Sequence, residues 1–300
     1  MSLDEAGRIR RLLLKGAVAG LCVGAWPSPT LAQDEAFRAL PKAMWVWLKS
    51  LGEMDALSRF ALDYRFSALM IHFRKPARAE LLDPASQALH ILRDLKSHGC
   101  ACFALAGEPQ WAEQARLPRT IADLLELQRR HFVFDGLHLD VEPHSLAQWR
   151  RPDGQAVLMQ GVADLAGRVR EAMPSKLSLQ LALNPKYALL ELAGNEDFLD
   201  RIAPHVQEVS LMAYRDTPQR QLQAADAAMA RLQNLKLPWR MGVLSNPPKE
   251  PGVSYHGLQR PAFEMHMQNL WQDLKSEPLC QGLIFENYHS LRALLQPVVT

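Results

Sequence analysis

The sequence has 300 residues, of which 48% are hydrophobic and 22% are charged. This composition is that of a globular chain with enough apolar residues for a large core, and it excludes an intrinsically disordered chain. The formal net charge is only +2, and no run of Lys and Arg interleaved with aromatic residues follows the first 32 residues, so the sequence does not favour nucleic acid or another polyanion as a partner.

Residues 1–32 have the pattern of an export signal. A basic start is followed by an apolar run over residues 16–26 and by a small-residue site, Thr-Leu-Ala, before Gln33. Arg10 and Arg11 precede Leu-Leu-Leu-Lys, which resembles a twin-arginine signal, and a Sec signal with a chance arginine pair is the alternative. We therefore expect a signal peptide over residues 1–32 and a periplasmic or secreted protein.

The same segment does not predict a stable membrane anchor. Its apolar run is shorter than the roughly 20 residues that a membrane-spanning helix needs, and no later run is long enough. Cys22 follows Leu21, where a lipoprotein cleavage site requires a small residue. We expect a released protein, and a monomer.

Eight short apolar runs with the character of strands follow in the remaining chain. Between them lie segments in which apolar residues recur three and four positions apart, as in amphipathic helices. The strand-like runs occupy residues 43–48, 67–73, 101–107, 134–142, 176–184, 208–215, 240–246 and 281–288.

This alternation predicts an α/β fold, a single (β/α)8 TIM barrel over residues 33–300. The runs start roughly 24 to 42 residues apart, which suits repeated βα units, and no linker divides them. An open doubly wound sheet would more often carry a phosphate-binding glycine pattern after its first strand, and none is present. An irregular α/β sheet is the alternative if one or two of the strands are wrong.

The fourth run, FDGLHLDVEPH, carries acidic residues in a strand-like context, where acids are rare. Side chains alternate between the two faces of a strand. His138, Asp140 and Glu142 therefore share one face, which we expect to point into the barrel and to rise towards its carboxyl-terminal mouth, where the active sites of such barrels lie. Glu142 should be the member nearest to the substrate.

Two carboxylates two residues apart raise the pKa of one of them, because two like charges at close range are unfavourable. One acid should then hold a proton near neutral pH, as a general acid must, and the other can orient it. The alternative is that Asp140 and Glu142 form structural salt bridges with Arg150 or Arg151.

The order Asp135, Gly136, His138, Asp140, Glu142 resembles the D-G-x-D-x-D-x-E signature of the family 18 glycoside hydrolases, the chitinase-like TIM barrels, with His138 at the middle Asp. The resemblance implies that Glu142 is the proton donor. It also implies that Asp140 hydrogen-bonds Glu142 and supports the substrate's 2-acetamido group as an internal nucleophile.

The sixth strand has a second patch, SLMAYRD, which resembles the M-x-Y-D of that family. Met212 and Tyr214 match, whereas Arg215 stands at the Asp. The resemblance implies that Tyr214 donates to the acetamido carbonyl. The tryptophan expected on strand eight is missing, and Glu286 lies in that segment.

Further polar and aromatic residues lie at predicted strand ends or in the loops that follow, where sugar sites combine flat apolar faces with hydrogen-bonding groups. Ordinary packing or a structural hydrogen bond is the alternative for each of them. The predicted substrate contacts are Tyr214, Asp135, His138, Trp47, His72, Asn184, Trp149, Met212 and Glu286.

No cofactor or metal is expected, since no dinucleotide, Walker or H-E-x-x-H motif occurs. Cys100, Cys102 and Cys280 should be buried apolar thiols, with a bridge from one of the first two to Cys280 as the alternative. The leading hypothesis is an exported glycoside hydrolase acting on a polysaccharide or oligosaccharide. The alternative is an inactive barrel that binds glycans.

Overall fold

The computed structural model describes residues 29–192, 194 and 196–296, so residues 1–28 of the expected signal peptide lie outside the described part. Eight strands are present: β1 (Lys42–Trp47), β2 (Ala68–His72), β3 (Ala101–Ala106), β4 (Gly136–Leu139), β5 (Ser178–Leu183), β6 (Glu208–Leu211), β7 (Trp239–Leu244) and β8 (Cys280–Glu286).

The helices lie between and around these strands. In chain order they are α1 (Pro29–Arg38), α2 (Met54–Asp63), α3 (Lys75–Glu80), α4 (Gln87–Ser97), α5 (Arg119–His131), α6 (Gly154–Ala172), α7 (Phe198–Ile202), α8 (Pro218–Asn234), α9 (Arg260–Leu274) and α10 (Tyr288–Leu295). None of the helices in the described ranges is both long enough and apolar enough to cross a bilayer.

The strands form one closed parallel barrel in sequence order. Each strand pairs with the next along the chain, and β1 closes the ring by pairing with β8, where Lys42 lies opposite Leu283. The predicted (β/α)8 barrel is thereby confirmed, and both alternatives, an open doubly wound sheet and an irregular one, are wrong.

Two strands fall furthest short of their predicted lengths. β4 ends at Leu139 and β6 ends at Leu211, whereas the apolar pattern extends both strands by several residues. One further ladder bond follows each strand, from the N–H of Asp140 to Ala106 and from the N–H of Met212 to Leu183. Beyond these bonds the chain leaves the barrel wall, so Glu142 lies in a loop rather than in a strand.

The alternation of side chains divides the apolar residues into two cores. The larger core lies between the strands and the helices and includes Leu137, Leu139 and Val141. The smaller core fills the barrel interior, and its buried members are Ala43, Trp45, Ala68, Met70, Phe103, Leu105, Ala182 and Ile284. The expectation that the apolar face of the fourth strand packs against the helices is confirmed.

A short polar network crosses the barrel interior below the mouth. The indole N–H of Trp45 donates to Nε2 of His138 at 3.0 Å, and Nδ1 of His138 lies 3.1 Å from Oε1 of Gln180. The amide oxygen only accepts, so Nδ1 carries the proton and the imidazole is neutral. Burial lowers the pKa of His138 to about 4, which keeps the ring neutral under ordinary conditions.

The three described cysteines are free thiols. Cys100 and Cys102 are buried, as predicted, and Cys280 is half-buried. Burial raises the pKa of Cys100 to about 12 and that of Cys280 to about 11. The alternative of a bridge to Cys280 is wrong, and the three groups are unreactive thiols at neutral pH.

Candidate active site

Asp140 and Glu142 follow β4 at the carboxyl-terminal mouth of the barrel. The N–H of Asp140 donates to the carbonyl of Ala106 at 3.0 Å, which fixes its backbone to the barrel wall. Glu142 immediately precedes a single 3-10 turn over residues 143–145. Both side chains are half-buried, so the two acids lie where the barrel opens to solvent.

The loop after β3 packs directly on the backbone of Asp140. A Cβ atom at Gly107 would lie 1.7 Å from the carbonyl oxygen of Asp140 and 2.9 Å from its Cα atom. No side chain fits in that space, so glycine is required for this close approach. The contact holds Asp140 in place from the side of the neighbouring strand.

One oxygen of the Asp140 carboxyl group has no partner in the described part of the chain. Its Oδ1 atom is buried and accepts or donates no hydrogen bond within the described residues. Neither Asp140 nor Glu142 forms an ion pair with any described residue. The alternative, structural salt bridges to Arg150 or Arg151, is therefore wrong. A buried, unpartnered carboxyl group is costly as an anion.

Burial, together with the charges of Glu142 and Glu286, raises the pKa of Asp140 to about 8. Asp140 is therefore protonated at neutral pH, and it carries the proton that the sequence predicts for one of the two acids. A neutral Asp140 also removes the repulsion that two adjacent carboxylates would exert on each other.

A second acidic group faces the first from the other side of the mouth. The hydroxyl group of Tyr214, after β6, donates to Oε2 of Glu286, the last residue of β8, at 2.6 Å. The side-chain amide of Asn246 donates to Oε1 of Glu286 at 3.3 Å. Both oxygens of Glu286 thus have donors, in contrast to Oδ1 of Asp140.

The backbone around Glu286 is held as firmly as its carboxylate. Its carbonyl accepts from both the N–H and the hydroxyl of Ser245 at 2.7 Å. Oδ1 of Asn246 accepts from the N–H of Asn287 at 3.1 Å, and the carbonyl of Asn246 accepts from Ser254 at 2.6 Å. The loop after β7 therefore fixes the end of β8.

The even-numbered strands supply this constellation. Asp140 follows β4, Tyr214 follows β6 and Glu286 ends β8, and alternate strands of a TIM barrel place their inward side chains in the same layer. Burial raises the pKa of Tyr214, and the charge and hydrogen bond of Glu286 raise it further. The phenol is therefore a neutral donor.

Trp47 and Met212 lie beneath this layer. Both side chains are half-buried and pack against the interior core together with Tyr214. The carbonyl of Trp47 also accepts from Nε2 of His289 at 3.1 Å. The two predicted contacts thus add apolar surface beside Tyr214, at the end of the interior core.

His72 ends β2 beside a cavity of about 230 Å³ that the loops after β1 and β2 enclose. Its Nδ1 atom is buried with no hydrogen-bond partner in the described ranges. Burial and the charges of Arg78 and Arg74 lower its pKa, so the ring is neutral near pH 7. His72 is placed to offer one ring nitrogen to a bound molecule.

Trp149 belongs to an aromatic cluster on the loop after β4. Its ring lies 5.4 Å from that of Tyr187 and 6.4 Å from that of His144, centroid to centroid. Nδ1 of His144 and the hydroxyl of Tyr187 also share a hydrogen bond. The cluster begins two residues after Glu142 and leaves Trp149 half-buried, next to the acids.

Three of the predicted contacts form structural bonds. Asp135 lies at the amino-terminal end of β4, opposite the mouth, where it accepts from the N–H of Cys102 at 2.8 Å and pairs with Lys96 at 3.1 Å. His138 has no exposed surface. Substrate contact by these two residues is corrected to a structural role, because one lies at the wrong end and the other is enclosed in the interior. Asn184 uses Oδ1 to accept from the N–H of Lys186 at 3.1 Å, which begins the 3-10 turn over residues 185–189.

Asn246 and Tyr187 are missing from the sequence-based set of contacts. Each lies just beyond a strand, after β7 and β5 respectively, and that position is the signal by which they could have been chosen. Across the described residues no three His, Cys, Asp or Glu side chains converge closely enough to hold a metal ion.

Comparison with known proteins gives a result only at the level of structure. No protein-family model and no curated protein matches the sequence. A chitinase from Bacteroides thetaiotaomicron matches with a TM-score of 0.55 and 10% identity, over 82% of this chain and 90% of that chain. The chain has a chitinase-like barrel fold.

The spore cortex-lytic enzyme SleL of Bacillus cereus gives a second match, with a TM-score of 0.50 and 12% identity, over 83% of this chain and 70% of that chain. The sequence resemblance to family 18 is thus confirmed for the fold, and the low identities make this chitinase-like barrel a divergent one. Its activity has to be argued from its own residues.

Proposed function

We propose that this protein is an exported glycoside hydrolase that cleaves glycosidic bonds of a polysaccharide. One observation carries the proposal: the mouth of the barrel holds Asp140, a protonated carboxyl group whose Oδ1 atom has no hydrogen-bond partner among the described residues, two residues from Glu142. A pair of neighbouring acids, one of which is held protonated, at the mouth of a barrel is an arrangement that supports glycosidic bond cleavage.

In the proposed reaction Glu142 is the general acid. Asp140 holds a proton at neutral pH and passes it to Glu142, which transfers it to the glycosidic oxygen as the bond to the anomeric carbon breaks. Positive charge that develops on the sugar ring is stabilised by the remaining carboxylates at the mouth.

The substrate is proposed to lie across the mouth. Trp47 and Met212 form its floor, and the exposed part of Trp149 offers a flat face beside the acids. Sugar rings present apolar C–H faces to such surfaces and hydroxyl rims to polar groups. His72 and its cavity lie at the carboxyl-terminal end of β2.

A matched pair of variants tests the assignment of Glu142. Glu142→Gln removes the proton but keeps the shape of the side chain, whereas Glu108→Gln makes the same change at an exposed residue just after β3. On a panel of β-linked and amino-sugar glycans, Glu142→Gln should lose turnover and Glu108→Gln should keep it. Unchanged turnover in Glu142→Gln would show that Glu142 is not the general acid. Retained glycan binding by a wild-type protein with no turnover would instead indicate an inactive binding barrel.

Export is the second part of the proposal and rests on residues 1–32. A chain in which Arg10 and Arg11 are both replaced by Lys should accumulate in the cytoplasm of an expressing bacterium, uncleaved, while the wild-type chain should be recovered outside it with an N-terminus near Gln33. Recovery of both chains in the same cleaved form would indicate a Sec signal, and recovery of both uncleaved in the cytoplasm would refute export.

A further inference from the structure

Tyr214 has a single proton to donate, and the structure shows where it goes. The hydroxyl group donates to Oε2 of Glu286 at 2.6 Å, a short distance typical of a donor facing an ionised acceptor. The family resemblance gives the same proton to a 2-acetamido carbonyl of the substrate. In this chain the proton of Tyr214 goes to a carboxylate oxygen of the protein instead.

Glu286 is also the best-held carboxylate at the mouth. Its second oxygen accepts from Asn246 at 3.3 Å, and its carbonyl is fixed by Ser245. Donors on both oxygens stabilise the ionised form, whereas Asp140 has a buried oxygen without any donor among the described residues. Two acids with different surroundings thus lie at the mouth, one with donors on both oxygens and the other with a buried oxygen that has none among the described residues.

The barrel places this carboxylate at the same mouth as the proposed general acid. Glu286 ends β8 and Glu142 lies in the loop that follows β4, so both acids lie at the carboxyl-terminal end of the barrel. Burial raises the pKa of Asp140, and the charges of Glu142 and Glu286 raise it further. Burial also raises the pKa of Glu286, while the hydrogen bond from Tyr214 acts to lower it.

We propose that Glu286 is the nucleophile of this enzyme, in place of a substrate acetamido group, and that the reacting sugar therefore carries no 2-acetamido group. This inference rests on the proposed function. One oxygen of Glu286 forms a bond to the anomeric carbon as the glycosidic bond breaks, and the leaving oxygen keeps the electron pair and takes the proton of Glu142. Water then attacks the anomeric carbon, gives a proton to Glu142 and releases the carboxylate of Glu286, with net retention of configuration.

The test uses substrate pairs that differ only at carbon 2. Oligosaccharides and aryl glycosides with a 2-hydroxyl or a 2-acetamido group, otherwise identical, are offered to the wild-type chain, to Glu286→Gln, to Glu142→Gln and to the control Glu108→Gln. The wild type and the control should cleave the 2-hydroxyl members. Glu286→Gln should lower kcat on them by about 10³-fold or more.

Covalent trapping locates the nucleophile without any variant. The dinitrophenyl 2-deoxy-2-fluoro glycoside of the sugar that is turned over should label the wild-type chain once, on the peptide that contains Glu286, as read by mass spectrometry.

Azide rescue provides a second test. Glu286→Ala should regain turnover with added azide and give a glycosyl azide of inverted configuration, which a misfolded variant cannot do.

The outcomes separate the two proposals. Cleavage of 2-acetamido members alone, labelling of another residue, or a Glu286→Gln variant that keeps more than a tenth of the wild-type kcat would overturn the role of Glu286 while Glu142→Gln is still inactive. Full turnover by Glu142→Gln, or none by the wild type on either series, would overturn the proposed function itself.

Discussion

Tyr214 and Glu286 are joined by a 2.6 Å hydrogen bond that connects the ends of β6 and β8 across the mouth of the barrel. The two residues are 72 positions apart in the chain. Burial and neighbouring negative charges raise the pKa of the phenol, so it stays protonated and acts only as a donor. The bond orients the carboxylate that we propose as nucleophile.

Tyr214→Phe removes this donor and little else. A hydrogen bond to a charged group contributes about 1.5–3 kcal/mol, so kcat should fall by about 10–100-fold, with a smaller change in KM, because the orientation of Glu286 matters most as its bond to the sugar forms. Initial-rate kinetics on the preferred 2-hydroxyl substrate provide the measurement. A variant with the wild-type kcat would show that Tyr214 does not position Glu286.

Asp140→Asn should change how stability depends on pH. The pKa of Asp140 is about 8 in the folded chain and about 3.9 in an unfolded one. The folded state binds the extra proton between these values, so the wild-type chain loses stability as the pH rises from about 4 to about 8. The variant should be more stable than the wild type at pH 8.5, by about 2–5 kcal/mol.

At pH 4 the two chains should differ far less, because the carboxyl group is then protonated in the folded chain and largely so in the unfolded one. Urea denaturation at both pH values measures the difference, with Glu108→Gln as the control that should follow the wild type. Parallel pH curves for Asp140→Asn and the wild type would contradict the raised pKa.

His138→Leu should cost stability at neutral pH, since the indole of Trp45 and the amide of Gln180 then lose their buried partner. The expected loss is about 2–4 kcal/mol at pH 7. The wild-type chain loses stability as the pH falls from about 6.5 to about 4, because the unfolded chain takes up a proton that the buried imidazole, with a pKa of about 4, does not.

The difference between His138→Leu and the wild type should therefore narrow at pH 4. Thermal unfolding at pH 7 and pH 4 gives the comparison. A gap of equal size at the two values would mean that the imidazole binds a proton as readily in the folded chain as in the unfolded one.

Asp135→Asn should affect the fold and leave the reaction unchanged. The variant loses the ion pair with Lys96 and weakens the bond to the N–H of Cys102 at the closed end of the barrel. The free energy of unfolding should fall by about 0.5–2 kcal/mol, while kcat and KM stay at the wild-type values. A selective loss of activity would restore a substrate role for this position.

The barrel could be predicted because its signal is local and repeated. Apolar residues alternate with period two in eight runs and recur at helical spacing between them, and each unit carries its own evidence. The sequence extends β4 and β6 too far. Its strand-like pattern continues to Glu142 and to Tyr214, whereas the ladder hydrogen bonds end at Asp140 and Met212. Strand alternation correctly places Asp140 and Val141 on opposite faces of the chain, with Val141 in the core between the strands and the helices.

The contacts at the site could not be predicted in this way. Sequence order shows that Tyr214 and Glu286 each follow or end a strand, but a hydrogen bond between them depends on the shear of the closed barrel and on the loop that carries Asn246. Asp135 was misplaced because it belongs to the family-like motif, although its position before β4 puts it at the opposite end. Enclosure of His138 depends on Trp45, which lies 93 residues earlier.

The contact between Gly107 and the backbone of Asp140 bears on how this barrel could be re-engineered. A library that alters specificity would naturally randomise the loops at the mouth, including the one after β3. Any side chain at position 107 would push the backbone of Asp140 out of place. Every library variant that carries such a substitution would therefore be inactive. Diversity is better directed to Trp149 and His72, with codon 107 held constant.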